Sequence, residues 1–302
     1  MPMQRASFPK DLEEGLNAHF GAEYREYPPE YVYIFDTFNS DKAFEEDVLE
    51  GTFGPAGIVG EGEAFPEHET RQGWTARYVH VQIGMKFAIT QIAAEDNLYM
   101  QVGAKHAKLM AKSMREAVEV LGANILNNAA ENAVGGDGKS LLATDHPLLF
   151  GGTGSNTLST PADLSESALE DMFTMIRKAT NDRGTPIALN SKRLIIPPDL
   201  VFTAARLVRS INRPGTNDND INAIRSLGII GNSDVQTITR LTDPDRWFIK
   251  TDATDGLKFF NRVGVQTGLD EDFNTGNMLY KARRRCSFGW SDWRGVFGSV
   301  GS

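Results

Sequence analysis

Residues 72–90, QGWTARYVHVQIGMKFAIT, decide how the rest of the chain is read. Tyr78, Val79, Val81, Ile83, Phe87 and Ile89 give this stretch an alternating, strand-like pattern. Just before it runs GTFGPAGIVGEGEAFPEHETRQG, residues 51–73, rich in Gly, Pro and Glu and without periodicity. A stretch that long without structure of its own is unusual inside a compact domain. Extended chain beside glycine turns predicts a long projecting β-loop. Such a loop cannot bury its own apolar side chains, so it must lie on something else.

Downstream, a helical pattern runs from about Ala94 to Asn132. Leu98, Val102, Leu109, Met110, Met114, Ala117, Leu121 and Ile125 mark its apolar positions. Glu95 and Asp96 suit the positive N-terminal end, and Gly135 and Gly136 stop the helix. At about 35 residues it would be a strut roughly 50 Å long. A second helix starts at about Ser165, a good N-cap, with Leu164 placed to staple onto Leu169. DRGTP, 182–186, ends it. RLIIPP, 193–198, reads as a buried strand, and DLVFTAARLV, 199–208, as a helix opened by Pro198. After the polar loop NRPGTNDNDIN come strand-like VQTITRL, RWFIK, LKFFNRV and NMLYKARRRCSFGW. Upstream, residues 1–50 are polar and acidic, with Pro28 and Pro29 favouring extended chain. The order is arm, β-loop, long helix, then mixed elements: an α+β protein.

Composition narrows the function. The chain has 302 residues, enough for a sizeable core. Basic residues number 31 and acidic ones 40, a net charge of −9. A chain this acidic is a poor general binder of nucleic acid, which needs clustered Lys and Arg. Cys286 is the only cysteine, so no intrachain disulfide forms. The start lacks an apolar signal core, and no apolar run approaches the length of a membrane span.

Several short motifs suggest chemistry and fail on inspection. GGDGKS, 135–140, lacks the glycine a phosphate loop needs at position 133, which is Ala133. A helix precedes it where a strand is required, so it reads as a helix end and turn. Asp145 and His146 suggest a hydrolase dyad. Adjacent residues in extended chain face opposite ways, so a turn with Asp145 bonding local backbone is the simpler reading. Glu67-His68-Glu69 lacks a ligand partner at metal-site spacing. NDNDIN, 217–222, starts like a calcium loop but has Ala223 and Ile229 where Gly and Glu are required.

Charge is segregated. In YKARRRCSFGW, alternation puts Lys281, Arg283 and Arg285 on one face; Tyr280, Arg284, Cys286, Phe288 and Trp290 share the other. Residues 41–69 carry Asp41, Glu45, Glu46, Asp47, Glu50, Glu61, Glu63, Glu67 and Glu69 against Lys42 alone. Both runs can be solvated faces. The alternative lays the acidic arm of one subunit on the basic strand of another.

The order of elements and several stretches resemble the major capsid proteins of tailed bacteriophages, in the Mu-like major head subunit branch. The carrying stretches are FNSDKAFEEDV, the QGWTARYVHVQIGMKFAIT strand with EDNLY, NILNNAAENAVGGDGKSLLATDHPL, GGTGSN, DLSESALEDM, RPGTNDNDIN, LTDPDRWFIKTD, GLKFFNRV and YKARRRCSFGWSDWRGVFGS. They run from about residue 35 to the C-terminus. The resemblance implies a Hong Kong 97-type fold: an N-terminal arm over 1–49, an extended β-loop over 50–92 and a peripheral domain over 93–189 with a spine helix at about 93–134. An axial domain over 190–265 and return strands over 266–302 complete it. It implies hexamers and pentamers closing into an icosahedral shell around double-stranded DNA, bound without sequence specificity. It also implies a virion location after assembly in the host cytoplasm, with no enzyme activity, cofactor, metal or membrane. Glu45, Glu46, Asp47, Glu61 and Glu63 would face Lys281, Arg283 and Arg285 of a neighbour.

The type member of the fold cross-links through a lysine on its extended loop. Residues 51–85 here contain none, so no covalent chainmail is expected. The segment ahead of the arm is short for a built-in scaffold, so a separate scaffolding protein, a head maturation protease and a portal are expected partners, with a decoration protein a further candidate. The competing readings are a hydrolase using Asp145 and His146, and a nanocompartment shell enclosing protein cargo.

Overall fold

The computed structural model describes residues 9–90, 92, 99–131, 135–212, 220–231, 233–272 and 275–301. Its spine is helix α2, Tyr99–Asn127. These 29 residues span about 44 Å at 1.5 Å per residue. The expected extensions at 93–98 and 132–134 lie outside the described residues.

The buried face of α2 is not quite the expected one. Ala107, Met110, Ala111, Met114, Val118 and Leu126 are buried, whereas Leu109 is 53% exposed. Alanines line the contact because neighbours approach closely. A Cβ on Gly103 would sit 3.2 Å from Ile89 and 3.3 Å from Leu16. Leu16 belongs to helix α1, Pro9–Arg25, which packs along α2 within the expected N-terminal arm, where the sequence reading names no helix. Its apolar residues Leu12, Leu16, Phe20 and Tyr24 recur every fourth position. That single narrow row, set in acidic sequence, is all the helix needs to dock, with Leu16 and Phe20 buried.

Two four-stranded sheets carry the body. In the first, β4 (Val81–Ile89), β10 (Leu257–Glu271) and β11 (Met278–Trp290) join β1 (Asp36–Asn39) in the order β1-β10-β11-β4. β1 runs parallel to β10, and the other pairs are antiparallel. Alternation in β11 follows the sequence: Tyr280, Ala282, Arg284 and Cys286 are buried, while Lys281 and Arg283 are exposed and Arg285 is half-buried. The second sheet joins β7 (Ser191–Ile196), β8 (Val235–Thr237), β9 (Trp247–Thr251) and β12 (Val296–Ser299) in the order β12-β9-β7-β8. Its near-continuous apolar strands are buried on both faces; Leu194, Ile195, Ile196, Trp247, Phe248 and Ile249 are fully enclosed. Strand β12 thus returns the chain end to the sheet built by residues 191–251.

Helix α3, Glu166–Arg177, starts as the sequence indicates: the Ser165 hydroxyl accepts from the Ala168 N–H at 3.3 Å. Leu164 and Leu169 sit in one core with α3's Met172, Phe173 and Ile176. A 3-10 turn at Pro198–Leu200 opens α4, Val201–Arg209. The short α5, Ala223–Ser226, is capped by buried Asn222, whose amide also donates to Leu207 O at 2.6 Å and Ser210 O at 3.1 Å. Residues 213–219 of the calcium-like loop lie outside the described residues.

A two-stranded hairpin, β2 (Phe44–Glu50) with β3 (Gln72–Val79), forms a separate ladder that packs on the first sheet through Ala76, Tyr78 and Phe260 and carries residues 51–71 at its open end.

Candidate assembly surfaces

Residues 51–71 form no helix or strand. Phe53, Ile58 and Phe65 are 64%, 103% and 83% exposed. Large apolar side chains held this far into water are not enclosed by the described residues of the subunit. The segment is nevertheless anchored at its stem. Gly51 N–H donates to Arg71 O at 2.8 Å. Arg183 donates from Nε to Thr52 O at 2.7 Å and from Nη2 to Glu69 O at 2.6 Å, gripping both legs. Its guanidinium lies 3.7 Å from the centre of the Phe150 ring. Phe150 stands on the small hairpin formed by β5 (His146–Pro147) and β6 (Thr153–Gly154). The turn there needs Gly151 and Gly152, with φ of 102° and 89°, where side chains are disfavoured.

This gives LLATDHPLLFGGTGSNTLST, 141–160, its role. Buried Asn156 donates to Leu141 O at 2.6 Å, Trp293 O at 3.2 Å and Val296 O at 2.9 Å, and accepts from Ala143 N–H at 3.1 Å. One amide thereby ties the segment to the chain's end and holds out the Phe150 platform. Sequence alone flagged neither Arg183, Phe150 nor Asn156, because each acts through contacts distant in the chain.

The catalytic suggestions dissolve in the geometry. Asp145 is exposed and ion-pairs with Lys139. The Lys139 hydrogen bond holds its carboxyl below the usual range. His146 points the other way, fully buried and stacked 4.7 Å above Trp293. Its Nδ1 lies 2.6 Å from Asp137 Oδ2, within the GGDGKS turn. Burial pushes the Cys286 thiol above its ordinary value, opposite to what a thiolate nucleophile requires. Among the described residues, no group of three His, Cys, Asp or Glu is arranged to hold a metal.

The charged candidates divide. Asp47 is engaged inside its own subunit, accepting from Lys258 Nζ and Ser291 Oγ, each at 2.6 Å. Burial pulls Lys258 down, but its bonds to Asp255 and Asp47 outweigh this and hold the ammonium above its usual value. Glu46 pairs with Arg77 at 3.6 Å, and Glu45 with Lys42 at 3.3 Å. Arg283 donates twice to Gln266 Oε1, at 3.0 and 2.7 Å. Glu63 accepts only from the Gly60 N–H nearby, and Glu61 stands in solvent. Lys281 and Arg285 form no ion pair among the described residues. Of the five candidate acids, the two on the projecting segment, Glu61 and Glu63, have no basic partner among the described residues.

The body carries one anchored segment, 51–71, whose apolar side chains are exposed, and the α+β arrangement is that of the Hong Kong 97-type capsid fold. The sequence profile of the phage capsid protein family matches residues 39–299, and the chain belongs to that family. It is a major capsid protein, a subunit of an icosahedral shell. The profile covers phage capsid proteins at large and does not single out the Mu-like branch. Among solved structures, the chain is similar to the procapsid of bacteriophage JBD30, at 13% identity and a TM-score of 0.52 over 99% of this chain and 77% of that one. It is similar to the capsid of an empty GTA particle, at 11% identity and a TM-score of 0.58 over 90% of each chain. A virus-like particle from Pyrococcus furiosus aligns at 11% identity and a TM-score of 0.51 over 96% of this chain and 99% of that one. At these identities the likeness is one of fold. No curated protein matches the sequence.

Proposed function

We propose that the subunit assembles as hexamers and pentamers whose shell encloses double-stranded DNA, with the 51–71 segment laid across an adjacent subunit. The observation that carries this reading is the pairing of a stem clamped by Arg183 with a tip whose Phe53, Ile58 and Phe65 are exposed. The domain division proposed is arm to 49, loop to 92, peripheral domain to 189, axial domain to 265 and return strands to the end, with β10 crossing the last boundary and β12 pairing back onto β9. Glu61 and Glu63 of one subunit face Lys281, Arg283 and Arg285 of the next, with Glu45, Glu46 and Asp47 behind them shaping the same acidic edge. The role is structural rather than catalytic, without cofactor or metal. DNA is held without sequence recognition. A separate scaffolding protein, a maturation protease, a portal and in some shells a decoration protein act with it in the host cytoplasm.

Electron microscopy of the purified protein, beside its mass by light scattering, tests this. Closed shells, or hexamers and pentamers, support it. A monodisperse monomer or dimer, unchanged by concentration, salt or added scaffold, overturns it. DNA inside purified particles, rather than protein cargo, separates a virion from a nanocompartment.

A further inference from the structure

Four Lys and Arg side chains are buried among the described residues: Arg246, Lys258, Arg284 and Arg294. Three have acids beside them. Arg246 lies 3.2 Å from Asp243, Lys258 2.6 Å from both Asp47 and Asp255, and Arg294 3.0 Å from Asp182. Arg284 is the exception. It is 8% exposed and forms no ion pair among the described residues. It donates to three neutral oxygens: Tyr24 Oη at 2.7 Å, Tyr31 Oη at 3.3 Å and Asn261 Oδ1 at 3.4 Å. Its buried Nε has no acceptor. A guanidinium enclosed without a counter-charge is costly, because the lost hydration is not replaced.

Arg284 lines a cavity of about 210 Å³ where the end of α1 meets α2. Arg25 and Arg115 also line it, with Tyr24, Tyr27 and Tyr31, and no carboxylate does. Two acids that flank lining residues in the chain, Glu23 beside Tyr24 and Glu119 beside Val118, are committed elsewhere. Glu23 lies 3.1 Å from Lys112. Glu119 accepts the N–H groups of Glu30 at 2.9 Å and Tyr31 at 3.2 Å. Burial raises the Tyr24 phenol above its ordinary value, so Tyr24 stays a neutral hydroxyl and does not serve as the counter-charge.

We propose that this cavity binds a phosphate-class oxyanion, held by the Arg284 guanidinium with Arg115 and Arg25 at the rim. Guanidinium groups match such oxygens in forked pairs. The Tyr24 and Tyr31 hydroxyls that accept from Arg284 keep their own protons to donate to it. The cavity is smaller than the roughly 300 Å³ at which drug-sized ligand sites begin, so it fits one oxyanion group and not a whole nucleotide. That group is either free inorganic phosphate or a single phosphodiester of DNA. The site goes beyond the shell-forming role, and phosphate binding is measurable whether or not shells form.

The test titrates inorganic phosphate into the full-length protein by calorimetry, with chloride at matched ionic strength as control, and follows the melting midpoint. The expected result is saturable binding that raises the midpoint, weakened about tenfold or more in R284M. R115Q, at the partly exposed rim, weakens it less and leaves the buried guanidinium in place. A short duplex DNA that competes with phosphate identifies the phosphodiester as the source; absence of competition identifies free phosphate. No saturable phosphate binding by the wild type overturns the site, as does equal binding by wild type and both variants.

Discussion

Residues 51–71 and residues 278–299 both carry aromatic, aliphatic and charged side chains, the first in Gly-, Pro- and Glu-rich sequence and the second in Arg- and aromatic-rich sequence. Their fates are opposite. In the second stretch Tyr280, Cys286, Trp290, Trp293 and Phe297 are each at most 5% exposed, while in the first Phe53, Ile58 and Phe65 stand in solvent. The difference lies in backbone pairing. Strand β11 has a neighbour on each side, and its side chains land on α1 and α2. The projecting segment has no strand beside it beyond the β2–β3 stem. One region stabilises the subunit; the other is left for assembly. The charges divide the same way, with buried Arg294 in a closed network and Glu61 free.

The sharpest break of that contrast is the triple substitution of Phe53, Ile58 and Phe65 by Ser. Shell formation should be lost in electron micrographs. Subunit unfolding should shift by no more than about 0.5 kcal/mol, as for exposed sites. A large loss of subunit stability would show that the segment packs at home. Next comes R294A. Arg294 bonds Asp182 at 3.0 Å, Asp292 at 3.2 Å and Thr180 O at 2.9 Å, with burial already holding the Asp292 carboxyl above its usual range. Removing the cation strands buried Asp182 and half-buried Asp292, at about 3–5 kcal/mol in denaturant unfolding.

N156A should cost about 1–3 kcal/mol, since three carbonyls lose their donor at once. It should also loosen the Phe150 platform, read as faster proteolysis within 51–71. The smallest effect belongs to the Glu116–Arg240 pair. Arg240's hydrogen bond holds the Glu116 carboxyl below its usual value. A lowered pKa stabilises the fold above the unfolded value near 4.5 and loses that contribution as pH falls through the folded one. The carboxylate is 52% exposed, so E116Q should cost about 0.2–1 kcal/mol at pH 7 and nothing in strong acid.

Much of this was legible in the chain. The projecting loop showed as a long aperiodic run beside a strand, the Ser165 cap as a cap, and β7 as an apolar run before two prolines. The two faces of β11 followed from a period of two, including the placement of Arg284 on the apolar side. Helix α1 was not legible, since one row of four apolar residues in acidic sequence gives a weak signal. The exposure of Leu109 was not either, because which stripe of α2 is buried depends on how α1, β4 and β11 pack against it.

The sequence by itself determined the elements, their order and their faces, because periodicity, caps and prolines act within a few residues. It also carried enough of the capsid family's pattern to assign the class. Only the tertiary structure decided which charges were already spent within the subunit, that Arg183 on its Phe150 platform clamps the loop stem, and that Arg284 is enclosed without an acid. Most of those are contacts between residues far apart in the chain, up to more than a hundred positions for Arg183 with Thr52 and Glu69, or, for Arg284, the absence of an acid, and no local rule of chain chemistry specifies them.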